Sequence, residues 1–307
     1  MSCFSEPEIC ARGGDQLVEA VGTDSIEEVT ELIRCPGVDI NYEDTNGWTP
    51  LVLASFNGYL QLVDFLLNDT RIKVNLAGSD GLSPLFTASQ RGHVEVVRAL
   101  LSHPQINVNR VSTEISGRER SRTPLWIASL HGDVEVVREL LSHPHIDVNL
   151  PAGSASRGLK YGKIEPISTP LYIASLEGKV GVVKELLSNQ DIDVNQIKAD
   201  NGYTPLYVAS QNGLVDVVKV LLADARVDPN QLVGSSIGTS IGVAAKWGKL
   251  EVVKLFLRCP RVKLGIKDTD GKDELDYAKN EGGTQLYPDM VKAIESRAKL
   301  LEMGHTC

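Results

Sequence analysis

A seven-residue motif that returns along the whole chain constrains its fold more than any other feature. Copies of T-P-L-x-x-A-S, the last of them degenerate, start at Thr49, Ser83, Thr123, Thr169, Thr204 and Thr239. Successive copies start 34, 40, 46, 35 and 35 residues apart, so the period is 34 or 35 residues, with two insertions. A period of this length predicts a chain built from stacked structural repeats.

Each copy predicts a pair of short helices. Thr49 is placed to cap a helix with its hydroxyl, and Pro50 suits the first helical position because it has no N–H to leave unpaired. Gly58 is placed to end that helix. A second apolar stretch, such as 94–101, has the i, i+3, i+4 spacing of an amphipathic helix. Because no single pair could bury its apolar side alone, we expect neighbouring pairs to share one core.

The pattern T-P-L-x-x-A-x-x-x-G-x-x-x-V-V-x-x-L-L, followed by a D-V-N end, resembles the ankyrin repeat family over about residues 15–264. The resemblance implies an all-α ankyrin-repeat solenoid with projecting β-turn fingers, about six repeats and degenerate caps at both ends. The expected divisions are an N-terminal tail at 1–14, a repeat domain at 15–264 that opens with a cap at 15–41, and a capping repeat with a closing helix at 265–307.

Charge and hydropathy exclude several classes of protein. The chain has 31 Lys and Arg against 40 Asp and Glu, which disfavours binding to duplex nucleic acid. It has no apolar run near the roughly 18 residues that a membrane-spanning helix needs. Its first residues carry acid where a signal peptide carries base. We therefore expect a protein of the cytoplasm or nucleus. We also expect it to be a monomer.

No motif in the sequence indicates catalysis. Glycine-rich phosphate loops, H-E-x-x-H and G-x-S-x-G are all missing, so we expect neither an enzyme nor a cofactor. His103 and His143 occupy the same repeat position. Neighbouring repeats stack about 8–10 Å apart, too far for both rings to bind one metal ion, so we expect no metal site.

An Asn ends every repeat except the last full copy, for example Asn109, Asn149 and Asn195. The short amide of this residue suits local hydrogen bonds that tie a turn. The ankyrin resemblance implies a second hypothesis, hydroxylation of Asn149 and Asn195, because both follow the L-x5-D-V-N spacing of family members that are modified.

The positions that vary between copies are the candidates for binding a partner. In the ankyrin family, the turn tips and the exposed end of the first helix form a concave recognition face, and Trp, Tyr and Arg are common interface anchors. The candidate residues are Trp48, Phe56, Arg91, Arg118, Arg120, Arg122, Trp126, His131, Tyr172, Glu177, Tyr203, Tyr207, Asn212 and Trp247. Within the first helices, Phe86, Trp126, Tyr172 and Tyr207 would form an aromatic stripe, unless these rings pack against the next repeat.

Both insertions, at 110–122 and 150–168, fall in the turns and carry a formal charge of +2 each. Long turns of this kind are usually functional, or they are solvated flexible loops. The favoured function is a non-enzymatic scaffold or adaptor that binds another protein, whose surface would be acidic where it meets the insertions. The alternative is that the insertions bind RNA or a phosphoinositide.

Overall fold

The computed structural model describes residues 6–113, 120–154, 167–198, 202–233, 238–279 and 287–303. The chain divides into two compact units, Met1–Pro166 and Ile167–Cys307, and each unit is a stack of helix pairs. The boundary between the units falls within the second insertion. The single repeat domain expected over 15–264 therefore stays a prediction.

The described part of unit 1 contains four helix pairs. They are α1 (Glu6–Gly22) with α2 (Ile26–Arg34), α3 (Pro50–Asn57) with α4 (Leu60–Leu67), α5 (Pro84–Arg91) with α6 (Val94–Leu101), and α7 (Pro124–His131) with α8 (Val134–Leu141). First helices contact first helices along the series α1, α3, α5 and α7. Second helices pack in the same way along α4, α6 and α8.

The described part of unit 2 also contains four pairs. They are α9 (Pro170–Leu176) with α10 (Val180–Ser188), α11 (Pro205–Asn212) with α12 (Val215–Ala223), α13 (Ser240–Lys246) with α14 (Leu250–Arg258), and α15 (Glu274–Lys279) with α16 (Pro288–Glu302). The first helices α9, α11, α13 and α15 contact one another in order, and so do the second helices α10, α12, α14 and α16. The prediction of stacked helix pairs is confirmed within each unit.

The motif forms helices for the expected reasons. Oγ1 of Thr49 accepts a hydrogen bond from the Val52 backbone N–H at 3.2 Å, and Pro50 opens the helix. Equivalent caps start the other repeats, for example Thr123 with the N–H of Trp126 at 3.1 Å. Gly58 ends α3 with a φ of 79°, a left-handed conformation that glycine adopts without the cost of a Cβ.

A small antiparallel sheet joins the two ends of the first insertion to the start of the second insertion. Its strands are β1 (Ser112–Thr113), β2 (Arg120–Arg122) and β3 (Gly153–Ser154), with β2 in the centre. The pairing aligns Ser112 with Arg122 and Ser121 with Gly153. The sequence did not predict these strands, which are only two or three residues long, and the residues that pair between β2 and β3 are distant along the chain.

The two ends are capped as expected, with one difference. Helix α1 begins at Glu6, so residues 6–14, expected as part of a tail, extend the first capping helix. Pro7 lies in the first turn of α1, where proline is tolerated. At the other end, α15 takes the place of a first helix and α16 closes the stack. No helix among the described residues is long and apolar enough to cross a membrane.

Candidate partner-binding surface

Within each unit, the Asn that ends a repeat joins it to the next one, at Asn41, Asn75 and Asn109 in unit 1 and at Asn195 and Asn230 in unit 2. Nδ2 of Asn109 donates to the His145 carbonyl at 2.7 Å, and its Oδ1 accepts from the Asp147 backbone N–H at 2.9 Å. In unit 2, Asn195 forms the same two bonds, to the Arg226 carbonyl and the Asp228 N–H, both at 2.8 Å. The expectation of a local turn role is therefore wrong for this amide, because its partners lie more than 30 residues further along the chain. Hydroxylation of Asn149 and Asn195 stays a prediction.

Arginine side chains reinforce the same junctions in unit 2. The guanidinium of Arg226 donates to the carbonyls of Leu187, at 2.5 Å, and Asn189, at 3.0 Å, at the end of α10. It also pairs with Asp224 at 2.7 Å, and this hydrogen bond holds the pKa of the Asp224 carboxyl below its ordinary value. Such contacts satisfy carbonyls that a helix end leaves without intrahelical partners.

The proposed aromatic stripe is not exposed. Phe86, Trp126 and Tyr207 are at most 1% exposed, and Tyr172 is also buried. The ring of Tyr207 packs against Val233 and Val243 of the next repeat, and burial raises the pKa of its hydroxyl. The expectation that Trp126, Tyr172 and Tyr207 offer their rings on the surface is wrong, because this position of the first helix faces the interior of the stack.

One group of partly exposed side chains in unit 1 brings three of the sequence-based candidates together. The rings of Trp48, at a turn tip, and Phe56, near the end of α3, meet edge to face with centroids 4.9 Å apart. Both rings are half-buried, and the guanidinium of the exposed Arg91 lies 3.8 Å from the centre of the Phe56 ring. The backbone N–H of Trp48 donates to the Asp44 carboxylate at 2.7 Å, which fixes the turn beneath the ring. We call Trp48, Phe56 and Arg91 the Trp48 cluster.

The other candidates of unit 1 are placed differently. Arg122 is half-buried, with its guanidinium 5.6 Å from the centre of the buried Trp126 ring. His131 is exposed at the end of α7. Arg118 lies outside the described residues, and for Arg120 the structure describes the backbone, in β2, but not the side chain.

In unit 2, Trp247 is 55% exposed at the end of α13, and Glu177 and Asn212 are exposed at the equivalent ends of α9 and α11. Tyr203 is half-buried at a turn tip, with its ring centroid 4.3 Å from that of Tyr207. Tyr203 is therefore partly a core residue that presents one side to solvent.

Sequence reasoning missed two apolar residues of unit 2. Ile197 and Leu232 are 53% and 56% exposed, and each is the second residue after the Asn that ends a repeat. The signal was available, because copies aligned on that Asn place two large aliphatic side chains at one position of consecutive repeats. Exposed apolar residues that recur in register on neighbouring repeats are typical of an interaction surface.

Acid–base and metal chemistry is sparse in the described residues. No group of three or more His, Cys, Asp or Glu side chains there is arranged to hold a metal ion. The rings of His143 and His145 lie 5.8 Å apart, and burial lowers the pKa of His143. In α15, burial raises the pKa of Glu274, one of whose oxygens accepts from the Gly265 N–H at 2.8 Å.

Comparison with known proteins identifies the family to which this chain belongs. The model for ankyrin repeats, in three copies, matches residues 17–112, 73–152 and 159–233. The chain belongs to the ankyrin repeat family, and the predicted fold is confirmed. Repeats of this family are typically non-enzymatic modules for protein–protein interaction.

Solved structures agree on the fold. The ankyrin repeat domain of Bcl-3, described as a unique member of the IkappaB protein family, superposes with a TM-score of 0.65 at 20% identity, covering 81% of this chain and 99% of that one. The human ASB11 ankyrin repeat domain superposes with a TM-score of 0.57 at 25% identity, covering 81% of this chain and 98% of that one. No curated protein is similar enough in sequence to count as a match.

Proposed function

We propose that this chain is a non-enzymatic scaffold or adaptor, monomeric and cytoplasmic, that binds a partner protein through the varying side chains of its turn tips and first-helix ends. The observation that carries the proposal is the Trp48 cluster of unit 1. There the Phe56 ring contacts both Trp48 and Arg91, and each of the three side chains has surface to offer, on a framework held by caps and inter-repeat hydrogen bonds.

The physical advantage of this cluster is that it is organised before a partner arrives. Edge-to-face contact restricts the rings of Trp48 and Phe56, and Arg91 is held over the second ring. Ordering side chains at an interface costs about 0.5–1.5 kcal/mol for each flexible side chain, so contacts made in advance reduce that cost. Aromatic and Arg residues are also the commonest energetic anchors of interfaces.

Unit 2 supplies a second candidate surface, described by itself. Ile197 and Leu232 expose aliphatic side chains beside the turns, Tyr203 exposes part of a ring at a tip, and Trp247 is exposed at a helix end. Glu177 and Asn212 add polar groups at the equivalent ends of α9 and α11. This mixture of apolar residues with polar neighbours matches the composition of protein–protein interfaces.

The test is affinity capture from the native cell with the wild-type chain and matched variants. Trp48→Ala combined with Arg91→Ala should lose a specific partner, because truncating an interface anchor commonly costs 2 kcal/mol or more, about thirtyfold in affinity. The control is Arg98→Ala, which removes an exposed Arg paired with Glu139 on the second helices. A partner retained equally by all three proteins would place the interface elsewhere.

The alternative proposal is binding of RNA or a phosphoinositide by the insertions 110–122 and 150–168. The observation in its favour is the β1–β2–β3 sheet, which pairs segments of both insertions. Its signature is steep loss of binding with salt, because phosphate contacts release counterions. No binding to RNA or to anionic vesicles at low salt would dismiss it.

A further inference from the structure

A depression of about 340 Å³ lies in unit 1 where two consecutive repeats meet, beside the start of the first insertion. Its lining comprises Ile72, Lys73, Val74, Asn75, Leu76, Gln105 and Arg110. The lining contains two cations and no carboxylate. This is unexpected in a unit whose residues 1–166 carry 14 Lys and Arg against 22 Asp and Glu, a formal net charge of −8.

In the part of the chain that the structure describes, neither cation has an acidic partner. Among the residues that the structure describes, neither Lys73 nor Arg110 forms an ion pair, although most other Arg side chains of the repeats do or bond to carbonyls. The Nε of Arg110 is buried and has no hydrogen-bond partner there. Arg110 therefore brings to the depression a charge that no described carboxylate pairs with.

The repeat pattern shows that the combination of these two cations is specific to one junction, although Lys263 holds the Lys73 position in a later copy. The position of Lys73, two before the Asn that ends a repeat, is occupied by Asp in four other copies, at 39, 147, 193 and 228. The position of Arg110, directly after that Asn, is neutral in the other repeats. The junction between the repeats that end at Asn75 and Asn109 is therefore the one that brings a cation to both positions.

We infer that this depression binds a phosphate monoester, presented as a phosphorylated side chain on a segment of the protein partner. A phosphomonoester carries a charge of about −1.5 to −2 at neutral pH, which matches two unpaired cations better than the single charge of a carboxylate does. The Arg110 guanidinium offers a planar set of donors for phosphate oxygens, and Lys73 adds a point charge. The side-chain amide of Gln105, exposed at the rim, supplies a further polar group.

A peptide fits this site better than a membrane does. An anionic bilayer presents many charges at once, and the net charge of −8 on unit 1 opposes close approach to it. A single phosphoryl group on an otherwise neutral or basic segment meets the two local cations without that repulsion. The inference rests on the proposed adaptor function and specifies the chemistry that one region of the partner carries.

The test is a titration of the ¹⁵N-labelled full chain, followed by amide chemical shifts. The probes are inorganic phosphate, a degenerate mixture of phosphoserine and phosphothreonine peptides, the same mixture without phosphate, and phosphatidylcholine vesicles containing a phosphoinositide. We expect shifts at residues 72–76, 105 and 110 with inorganic phosphate and, at lower concentration, with the phosphopeptides. The unphosphorylated mixture should leave these amides unmoved.

Variants assign the binding to the two cations. Arg110→Gln and Lys73→Gln should each weaken phosphopeptide binding at least about tenfold, as expected for loss of a charge-assisted hydrogen bond. Arg138→Gln, which removes an exposed Arg paired with Glu135 on α8, should change it little. Since Lys73 is exposed, its replacement tests the site even if Arg110→Gln perturbs folding.

Three results would overturn the inference. They are unmoved amides at 72–76 with every phosphate probe, equal weakening by the Arg138 control, or tighter binding to the vesicles than to the phosphopeptides. If phosphate binding fails while the Trp48 cluster still captures a partner, the inference falls and the proposed adaptor function stands. If capture through that cluster fails while phosphopeptides bind at Arg110, the site stands without that interface.

Discussion

The Asn that bridges consecutive repeats offers a test of what holds the stack together. In Asn109→Ala, the His145 carbonyl loses a donor and the Asp147 N–H loses an acceptor. Each intramolecular hydrogen bond contributes about 0.5–1.5 kcal/mol net, so we expect a loss of about 1–3 kcal/mol in the free energy of unfolding. Urea denaturation followed by circular dichroism measures this loss.

The variant Asn109→Asp separates bridging from a local turn role. Asp is as well suited as Asn to local hydrogen bonds in a turn, so a local role would make this change nearly neutral. In the bridge, however, one carboxylate oxygen replaces the Nδ2 donor and faces the His145 carbonyl oxygen. We therefore expect Asn109→Asp to destabilise at least as much as Asn109→Ala.

The control is Asn68→Ala, because the Asn68 amide forms one local bond, to the Asp64 carbonyl at 2.9 Å within the same repeat. It should cost no more than about 1 kcal/mol. Hydrogen exchange adds a residue-specific readout, since the Asp147 amide should lose protection in Asn109→Ala. An Asn109→Asp protein as stable as the wild type would refute the bridging argument.

Three further changes test other parts of the structure. Trp126→Ala should cost about 3–5 kcal/mol in unfolding free energy because the ring is fully buried, whereas Trp48→Ala should cost clearly less; urea denaturation compares them. Arg226→Gln should raise the pKa of Asp224 towards its ordinary value, as measured by NMR titration. In the wild type, the lowered pKa adds to the free energy of unfolding above the ordinary carboxyl pKa, and this contribution is lost as pH falls through the lowered pKa; the variant should lack it. Burial raises the pKa of Glu274, so the contribution of this group to the free energy of unfolding is fully present below the ordinary carboxyl range and is lost as pH rises through the raised pKa. Glu274→Gln should make the stability of α15 less dependent on pH in that range, as measured by hydrogen exchange.

The helices were predictable because their signals are local. A Thr hydroxyl, a Pro and a Gly act within one turn of backbone, and each behaves in the fold as elementary chemistry suggests. The caps at both ends were also found, since the repeat phase persists after the T-P-L residues are lost. The small sheet was missed because Ser121 and Gly153 are paired by tertiary structure.

The burial of Trp126 could not be predicted from the helix that contains it. In α7, all six residues from Pro124 to Ser129 are buried, because the helix packs against α8 and against the neighbouring first helix α5. An eight-residue helix covered on several sides shows no amphipathic pattern, so its sequence does not tell which side faces solvent. Comparison between copies is more informative, since this position is apolar or aromatic in five of them.

The same comparison explains where recognition can reside in a repeat protein. Changes at positions that a repeat uses against its neighbours, such as the buried ring and the bridging Asn, cost stability, so the stack restricts them. Variation is left to positions that the stack does not use, and those include Trp48, Arg91, Lys73 and Arg110. Lys73 and Arg110 are the clearer case, because most other copies carry an acidic or neutral residue at these positions and no carboxylate of the described residues lines the depression with them. The phosphate titration tests whether a ligand uses these two charges, since the fold itself does not pair them with a described carboxylate.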